Sequence, residues 1–411
     1  ADAAARLGSP RRVPRPALEL RVEAESPSPI RATSTQEAFG RALLELSREE
    51  AVARRIVTTA PDVSVSTNLG GWINRTGIYG PDDEPSVGVG EALEWRVSRE
   101  GRHIELGISE MNLFLLLSQL GLAHEFGAGP LVPIGTVYDP FVCRGLDGLI
   151  YALYIGSRFI LVGTPSGISL SREGGAHQST ITPGIGIGLP GLDYYEPAFA
   201  QETDWILRDA VGGILGRAEG NSTYLRLSTK PVDQRPFEQL LADGRDALRQ
   251  DVLAGGYRLA EQPPGGGPAL TLVASGTMVP EALEARLQLL DEEDIRASVV
   301  VATSPDLLYR GWHEASVAGI SDPARTAAVS HLERLLRRDA GVPVVSVIDG
   351  SSHALAFVGG SIGAPQICLG VDRFGQCGSL SELYDDNEVS PDAIAAAAVA
   401  AVSIRENTQK G

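Results

Sequence analysis

Basic side chains, and lysine above all, are scarce in this sequence. Its 411 residues include 52 acidic residues against 35 basic ones, which gives a formal net charge of −17, and lysine occurs only as Lys230 and Lys410. Proteins that bind nucleic acid through its phosphates need clustered lysine and arginine. The one-sided charge therefore argues against nucleic acid as the main partner.

Cysteine and long apolar runs are also scarce. The three cysteines, Cys143, Cys368 and Cys377, have no metal-ligand spacing and form no even-numbered disulfide framework, which predicts a reducing, cytoplasmic compartment. The longest apolar runs, 113–122 and 394–404, are shorter than the roughly 20 residues that span a bilayer. The N-terminal residues contain arginines but no apolar core segment, so we expect neither a signal peptide nor a membrane partner.

The first part of the chain alternates short apolar runs with helical patterns. Residues 1–30, rich in proline, serine and charge, are predicted to be a flexible arm or linker. Ser34 and Glu37 have the spacing of a capping box, which predicts a helix through about residue 46. The other predicted elements are strands at 56–60, 131–137 and 159–164, helices at 110–122 and 146–154, and loops at 68–90 and 171–193.

A second alternating unit follows the Pro/Gly-rich run 262–268. Its predicted strands are 270–275, 297–302, 343–348 and 366–371, and its predicted helices are 280–290, 324–338 and an alanine-rich helix at the end. This alternation predicts the α/β fold class, with two doubly wound domains and mainly parallel sheets. We expect the domains to cover residues 31–254 and 255–411.

Glu110 is the first residue whose position suggests chemistry. It stands directly before about ten apolar residues, so its carboxyl group is expected at the mouth of a buried, largely apolar helix. Taken alone, this is the pattern of an acidic residue that the helix dipole favours in a first turn.

Several motifs occur in one consistent order along residues 33–400. They are TNLGGW at 67–72, IELGISEMN at 104–112, PIGTVYDPF at 133–141, GTPSG at 163–167, EGGAHQ at 173–178 and GVDRFGQ at 370–376. The ordered set resembles thiamine-diphosphate enzymes of the pyruvate dehydrogenase and transketolase kind, and above all the single-chain decarboxylating component of pyruvate dehydrogenase. The resemblance implies a pyrimidine-binding domain followed by a transketolase-like C-terminal domain.

The resemblance also implies roles for individual residues. In this family a glutamate hydrogen-bonds a ring nitrogen of the cofactor's aminopyrimidine and so promotes ylide formation at the thiazolium carbon, which assigns Glu110 and implies a pKa raised by burial. Tyr138 and Phe141 would pack around the aminopyrimidine, although either aromatic alone also suits an ordinary strand-to-helix corner. Ile108 would line the same pocket through its backbone, and Arg144 would orient the nearby loop.

The Gly-rich loop carries the two remaining candidates. His177 would face the substrate, in proton transfer or in binding a substrate oxygen, and Glu173 matches a position near substrate hydroxyl or carbonyl groups. A lone histidine is more often structural, but one flanked by small loop residues has little core to satisfy. His103 could also reach the substrate region, but we expect its side chain to be solvated at the surface instead.

A diphosphate-binding motif is missing. The family holds diphosphate through Mg²⁺ on a Gly-Asp-Gly motif with a downstream asparagine, and no Gly-Asp-Gly occurs here. Asp147-Gly148 and Asp349-Gly350 lack the first glycine and a suitably placed asparagine. The resemblance therefore implies no metal ligand in this chain and a diphosphate-binding partner subunit, with two copies of each. A fragment of a longer polypeptide is the alternative, since the sequence has no initiating Met.

Three functions remain open at this stage. The first is an enzyme subunit that cleaves a 2-oxo acid or a ketose phosphate and transfers the two-carbon unit to a lipoyl group, a carrier protein or an aldose. The second is a non-catalytic assembly or regulatory subunit, in which loss of Glu110 or His177 would be expected. The third is a stand-alone α/β binding protein. The residues present favour the enzyme, while the stretch DVSVSTNL at 62–69 departs from the single-chain enzyme's acidic pattern and leaves the donor open.

Overall fold

Helices and strands alternate along almost the whole chain in the computed structural model, which describes residues 15–18, 22, 31–81, 84–89, 93–321 and 329–410. The strands are β1 (Ala32–Thr33), β2 (Ile56–Pro61), β3 (Ile78–Tyr79), β4 (Glu84–Val89), β5 (Leu93–Ser98), β6 (His103–Leu106), β7 (Val132–Val137), β8 (Ile160–Gly163), β9 (Leu192–Tyr195), β10 (Ser222–Arg226), β11 (Val232–Asp233), β12 (Gly256–Ala260), β13 (Ala269–Ala274), β14 (Arg296–Ala302), β15 (Val344–Val347) and β16 (Gln366–Leu369).

Most of these strands are joined by α-helices, as parallel pairing requires. The helices are α1 (Thr35–Leu46), α2 (Glu50–Ala53), α3 (Gly70–Thr76), α4 (Glu110–Gly121), α5 (Leu146–Tyr154), α6 (Thr182–Gly188), α7 (Ala200–Gly216), α8 (Arg235–Leu253), α9 (Val279–Glu293), α10 (Pro305–Ser321), α11 (His331–Leu336), α12 (Val358–Ile362), α13 (Leu380–Asp386) and α14 (Pro391–Lys410).

Two mainly parallel sheets organise the fold. The larger has nine strands in the order β4-β5-β3-β6-β2-β7-β8-β10-β9, and only its edge strand β4 pairs antiparallel. The smaller has five strands in the order β12-β14-β13-β15-β16, and only its edge strand β12 pairs antiparallel. The predicted fold class is confirmed. Strands such as β7 and β8 are buried along their whole length, because helices cover both faces of a parallel sheet.

The hydrophobic core continues from the large sheet into the small one. Phe199 of the segment before α7 stacks on Phe237 of α8, whose ring meets the edge of Tyr257 on β12. The Tyr257 hydroxyl donates 2.6 Å to the buried carboxylate of Glu202. The domain boundary near residue 255 stays a prediction, since the packing runs through it without a gap.

Local sequence signals matched the structure where a capping pattern or an apolar run was clear. Ser34 and Glu37 form the predicted capping box at the start of α1. Helix α5 has the predicted bounds, and β2, β7 and β8 lie within two residues of theirs. The predicted arm at 1–30 falls outside the described residues except for 15–18 and 22, where Arg15 is buried and donates to the carbonyls of Gly121 and Leu131.

Three predictions of secondary structure were wrong in part. The predicted loop at 68–90 contains α3, β3 and β4, and the predicted loop at 171–193 contains α6 and the start of β9. The long helices α7, α8 and α10 were not predicted. The predicted helix at 324–338 is the short α11 followed by a 3₁₀ turn at Arg337–Asp339, while its first residues lie outside the described part of the chain. No helix within the described ranges is both long and apolar enough to cross a membrane.

Candidate functional site

The predicted site residues follow three strands of the large sheet, β6, β7 and β8, and β2 lies between the first two. Glu110 follows β6, the Tyr138–Phe141 segment follows β7, and the loop that carries Glu173 and His177 follows β8. The carboxyl ends of parallel strands meet at one edge of a sheet, which is where open α/β folds bind their ligands. The topology therefore brings together segments that are far apart in the chain.

Glu110 is the first residue of α4 and is buried. Its Oε1 accepts a 2.9 Å hydrogen bond from Nη1 of Arg144, whose side chain remains about half exposed. The Arg144 guanidinium also lies over the Phe141 ring, 3.8 Å from the ring centroid. Arg144 thus contacts both the carboxylate and an aromatic wall of the site.

Three rings stand next to this ion pair. Tyr138 and Phe141 are stacked, with centroids 6.0 Å apart and an interplanar angle of 13°. The His177 imidazole meets the edges of both, at 5.8 Å from Tyr138 and 5.6 Å from Phe141. Its Nδ1 is buried and has no hydrogen-bond partner among the described residues. An unpaired buried nitrogen costs free energy unless a ligand or water meets it.

Close packing holds the aromatic segment against α4. Phe141 and Arg144 lie on a 3₁₀ turn, Asp139–Gly145, that follows β7. A Cβ on Gly145 would come 2.1 Å from the Phe114 ring on α4, so only glycine permits this approach. The turn can therefore bring Phe141 and Arg144 up to the start of the helix where Glu110 stands.

Two predicted residues lie in the region without a described contact to these rings. Ile108 stands two residues before Glu110 with its side chain 76% exposed, and Glu173 is exposed four residues before His177. The helix that begins at Glu110 was predicted to be buried, and this was wrong in part, because Met111 and Leu115 are exposed. Their exposure leaves one side of α4 uncovered.

His103 was predicted at the surface, and this was wrong. Its side chain is fully buried on β6, with Nδ1 2.9 Å from the Thr58 hydroxyl and Nε2 3.1 Å from both the Ser64 hydroxyl and Glu105 Oε2. Burial alone would raise the pKa of Glu105, but the hydrogen bonds from His103 and Ser64 outweigh it and lower that pKa. Thr58 and Ser64 are brought to His103 by the pairing of β2 with β6, which no local pattern reveals.

Among the described residues, no group of three or more His, Cys, Asp or Glu side chains is placed to hold a metal ion. Asp147 is exposed on α5. Both carboxylate oxygens of Asp349 accept backbone N–H groups, from Ile168 at 2.8 Å and from Ser169 at 3.0 Å. Neither Asp-Gly pair is therefore part of such a cluster.

The residues at this edge suit a flat heteroaromatic ring with polar atoms on its rim. Glu110 offers a buried carboxyl group, Tyr138 and Phe141 offer ring faces, and His177 offers an unpaired nitrogen. An aminopyrimidine ring matches this donor and acceptor set. The diphosphate end of such a cofactor, by contrast, meets no metal cluster in the part of the chain that the structure describes.

Comparison with known families divides the chain into two regions. Residues 22–233 match the family described as the pyruvate dehydrogenase E1 component middle domain. Residues 255–390 match the transketolase-like C-terminal domain.

Full-length relatives extend well beyond this chain. It is 25% identical to the pyruvate dehydrogenase E1 component of Corynebacterium glutamicum, over 83% of this chain and 37% of that protein. It is 24% identical to the same component of Haemophilus influenzae, over 90% of this chain and 41% of that protein. The chain thus spans less than half the length of these curated relatives.

Solved structures agree on the fold. A transketolase from Leishmania mexicana superimposes with a TM-score of 0.68 at 20% identity, covering 92% of this chain and 46% of that one. A structure titled "Split gene transketolase, inactive beta4 tetramer" superimposes with a TM-score of 0.59 at 20% identity, covering 91% of this chain and 99% of that one.

Proposed function

The chain belongs to the thiamine-diphosphate-dependent family of pyruvate dehydrogenase E1 components and transketolases, and on that premise we propose that it is the pyrimidine-binding, cofactor-activating half of an active site completed by a partner subunit. The observation that carries this proposal is the meeting of Glu110, Tyr138, Phe141 and His177 at one sheet edge, with His177 Nδ1 unpaired. A non-catalytic subunit has no need to keep these four side chains together.

Each residue has a distinct task in this proposal. When bound, thiamine diphosphate supplies a carbon nucleophile that attacks the carbonyl of the donor. Glu110 holds a proton against a ring nitrogen of the aminopyrimidine, and the buried start of α4 excludes water from that hydrogen bond. Tyr138 and Phe141 set the tilt of the ring. His177 meets the substrate on the open side, with Glu173 on the same loop, while Arg144 orients the Glu110 carboxyl group.

The partner is proposed to hold the diphosphate and Mg²⁺. Two observations support this division: the sequence contains no Gly-Asp-Gly motif, and the described residues contain no metal-ligand cluster. A full set of carboxylate and carbonyl oxygens is what Mg²⁺ binding to diphosphate needs. We propose an assembly with two copies of each subunit.

Exposed apolar side chains support a partner surface beside the site. Helices α4 and α5 pack together, and large apolar side chains on and beside them remain exposed. These residues, which we call the α4–α5 face, are Ile108, Met111, Leu115, Ile150, Tyr151 and Tyr154. Contiguous apolar surface of this kind is typical of a protein–protein contact. Its position next to Glu110 suits a partner that covers the cofactor.

The donor is proposed to be a 2-oxo acid, with a lipoyl group or carrier protein as acceptor. Two relatives that match 83% and 90% of the chain are pyruvate dehydrogenase E1 components, which supports this choice. Transfer from a ketose phosphate to an aldose is the competing outcome, since similarity to solved transketolases at 20% identity concerns the fold alone.

The test is calorimetric titration of thiamine diphosphate and Mg²⁺ into this chain, alone and with the candidate diphosphate-binding subunit. We expect tight, Mg²⁺-dependent binding only in the mixture. Tight binding by the chain alone would overturn the divided site. Turnover of the mixture with pyruvate and with ketose phosphates then separates the two donor classes.

A further inference from the structure

The loop that carries Glu173 and His177 is attached mainly to the second unit of the molecule. Ser169 Oγ lies 2.6 Å from the Tyr384 hydroxyl and 3.0 Å from the Thr277 hydroxyl. Further along, Gln178 Nε2 donates 2.9 Å to the Gln376 carbonyl, and Ser171 Oγ donates 3.2 Å to the Gly378 carbonyl. The loop therefore lies against the small-sheet unit at both of its ends.

Asp349 makes the most specific of these attachments. It follows β15, is buried, and accepts the amide protons of Ile168 and Ser169 on its two carboxylate oxygens. Gly167 before them has φ +65°, and a Cβ there would come 2.2 Å from Asp349 Oδ2. Only glycine lets the carboxylate come this close. The Gly163–Gly167 motif and the Asp349-Gly350 pair thus form one contact between the two units.

Arg226 links this contact to the aromatic wall of the site. At the end of β10, its Nε donates 2.9 Å to Asp139, the first residue of the turn that carries Phe141. Its Nη2 donates 3.0 Å to the Ser179 hydroxyl, at the end of the His177 loop, and 2.7 Å to the Asp349 carbonyl. One buried guanidinium therefore joins the aromatic turn, the histidine loop and the second unit.

We propose that Asp349 is a positioning residue for His177. By binding the Ile168 and Ser169 amides, Asp349 fixes the loop and so holds the His177 ring against Tyr138 and Phe141. Arg226 keeps this loop and the turn that carries Phe141 in fixed relative positions. The small-sheet unit thereby acts on the site without contributing a side chain to it. This proposal rests on the proposed function for the role of His177, but the attachment itself can be tested without turnover.

The first experiment is hydrogen exchange on the full chain alone. Asp349→Asn keeps the shape of the side chain but leaves one of the two amides facing an NH₂ group. We expect exchange in peptides covering 168–178 to accelerate by about tenfold or more, since a hydrogen bond to a charged acceptor is lost. Asp339→Asn is the matched control, because Asp339 is equally buried in the same unit but pairs with Arg258. Unchanged exchange of the 168–178 peptides in Asp349→Asn would show that Asp349 does not fix the loop.

The second experiment is a double-mutant cycle in the complete enzyme with its partner. Asp349→Asn should lower kcat about as His177→Ala does, with little change in KM, and should leave proton exchange at the thiazolium carbon unchanged because Glu110 is untouched. In the double variant the Asp349 effect should vanish, since a residue that acts through His177 has nothing left to position. Losses that simply multiply would refute a positioning role.

Tyr384→Phe provides a milder version if Asp349→Asn fails to fold. It removes the hydroxyl next to Ser169, which also accepts a 3.2 Å hydrogen bond from Lys230 Nζ, and it buries no new charge. We expect a smaller acceleration of exchange over 168–178 and a smaller kcat loss, again absent in the His177→Ala background. If the wild-type enzyme with its partner shows no thiamine-dependent turnover, the proposed function fails. The hydrogen-exchange result still decides whether Asp349 fixes the loop.

Discussion

Two arginine–carboxylate groups lie at the same edge of the large sheet, where one turn carries both Asp139 and Arg144, and they differ in almost every physical respect. Arg144 binds Glu110 through one hydrogen bond and its side chain is 53% exposed. Arg226 binds Asp139 and Glu196 and is 1% exposed. Burial by itself lowers the pKa of Arg226, but the carboxylates of Glu196 and Asp139 outweigh it and hold that pKa above its usual range.

The difference distinguishes a binding site, around Arg144, from a structural network, around Arg226. Around Arg226 nearly every polar atom has a partner: Asp139 accepts from Thr182, Ser179 and Tyr224, and Tyr194 donates to Glu196. A buried network is stable only when it is satisfied in this way. Around Arg144 the Glu110 carboxyl group and His177 Nδ1 retain unused capacity. Unused hydrogen-bonding capacity beside partly buried rings is what a ligand requires.

The largest expected effect is on the exposed side of this comparison. Glu110→Gln removes the titratable proton and should slow proton exchange at the thiazolium carbon of bound cofactor by about a thousandfold, or about 4 kcal/mol in activation free energy. The melting temperature should hardly change. Exchange is followed by NMR after acid quench in the complete enzyme, with the exposed Glu284→Gln as control. A normal exchange rate would remove Glu110 from this role.

Arg226→Met should act in the opposite way, on stability first. It leaves Asp139 and Glu196 buried without their cation, which typically costs about 3–5 kcal/mol. Urea unfolding followed by circular dichroism measures the loss. A loss of less than about 1 kcal/mol would mean that the network is dispensable and would undo the contrast with Arg144.

A third prediction concerns pH. Burial raises the pKa of Glu202 to about 7, against hydrogen bonds from Tyr257 and from the Phe199 and Ala198 amides that lower it. The folded chain therefore holds a proton that the unfolded chain releases above about 4.5. The stability that this proton contributes is complete below about pH 4.5 and is lost as pH rises through 7, by at most about 3 kcal/mol.

Glu202→Gln should remove that slope, because glutamine stays neutral throughout. Unfolding free energies at pH 5, 6, 7 and 8 should fall more steeply in the wild type than in the variant. Parallel curves would show that Glu202 ionises normally in the folded chain. Glu202 thus extends the comparison to a second buried carboxyl group, one that has hydrogen-bond donors but no cation.

The smallest expected effect is that of Arg144→Met. A half-exposed ion pair contributes about 1 kcal/mol or less, so the free energy of unfolding should barely change. Turnover should fall modestly instead, because the Glu110 carboxyl group loses the hydrogen bond from Arg144 that orients it. Arg54→Met, which breaks an exposed pair with Glu50, is the control. A destabilisation as large as that of Arg226→Met would contradict the distinction drawn here.

The candidate site was predictable to the extent that its residues stand in short motifs. Glu110, Tyr138, Phe141 and His177 belong to strings that resemble a known family, and Arg144 closely follows one of them. The structure brings these residues to one edge, and their roles stay predictions. His103 was misjudged because its partners Thr58 and Ser64 lie about 40 residues away and meet it only through strand pairing. Asp139, Arg226 and Asp349 were missed as a group for the same reason.

The amino-acid sequence by itself determined the local elements and the family. Capping residues define the start of α1 and apolar runs define β2, β7 and β8, because these elements depend on residues close together in the chain. The ordered motifs identify the family. Only the tertiary structure decided which polar groups are saturated and which remain open. A buried charge such as Arg226 is tolerated when segments from distant parts of the chain place hydrogen-bond acceptors around it. Which segments come together depends on the order of strands in the sheet and not on any local sequence.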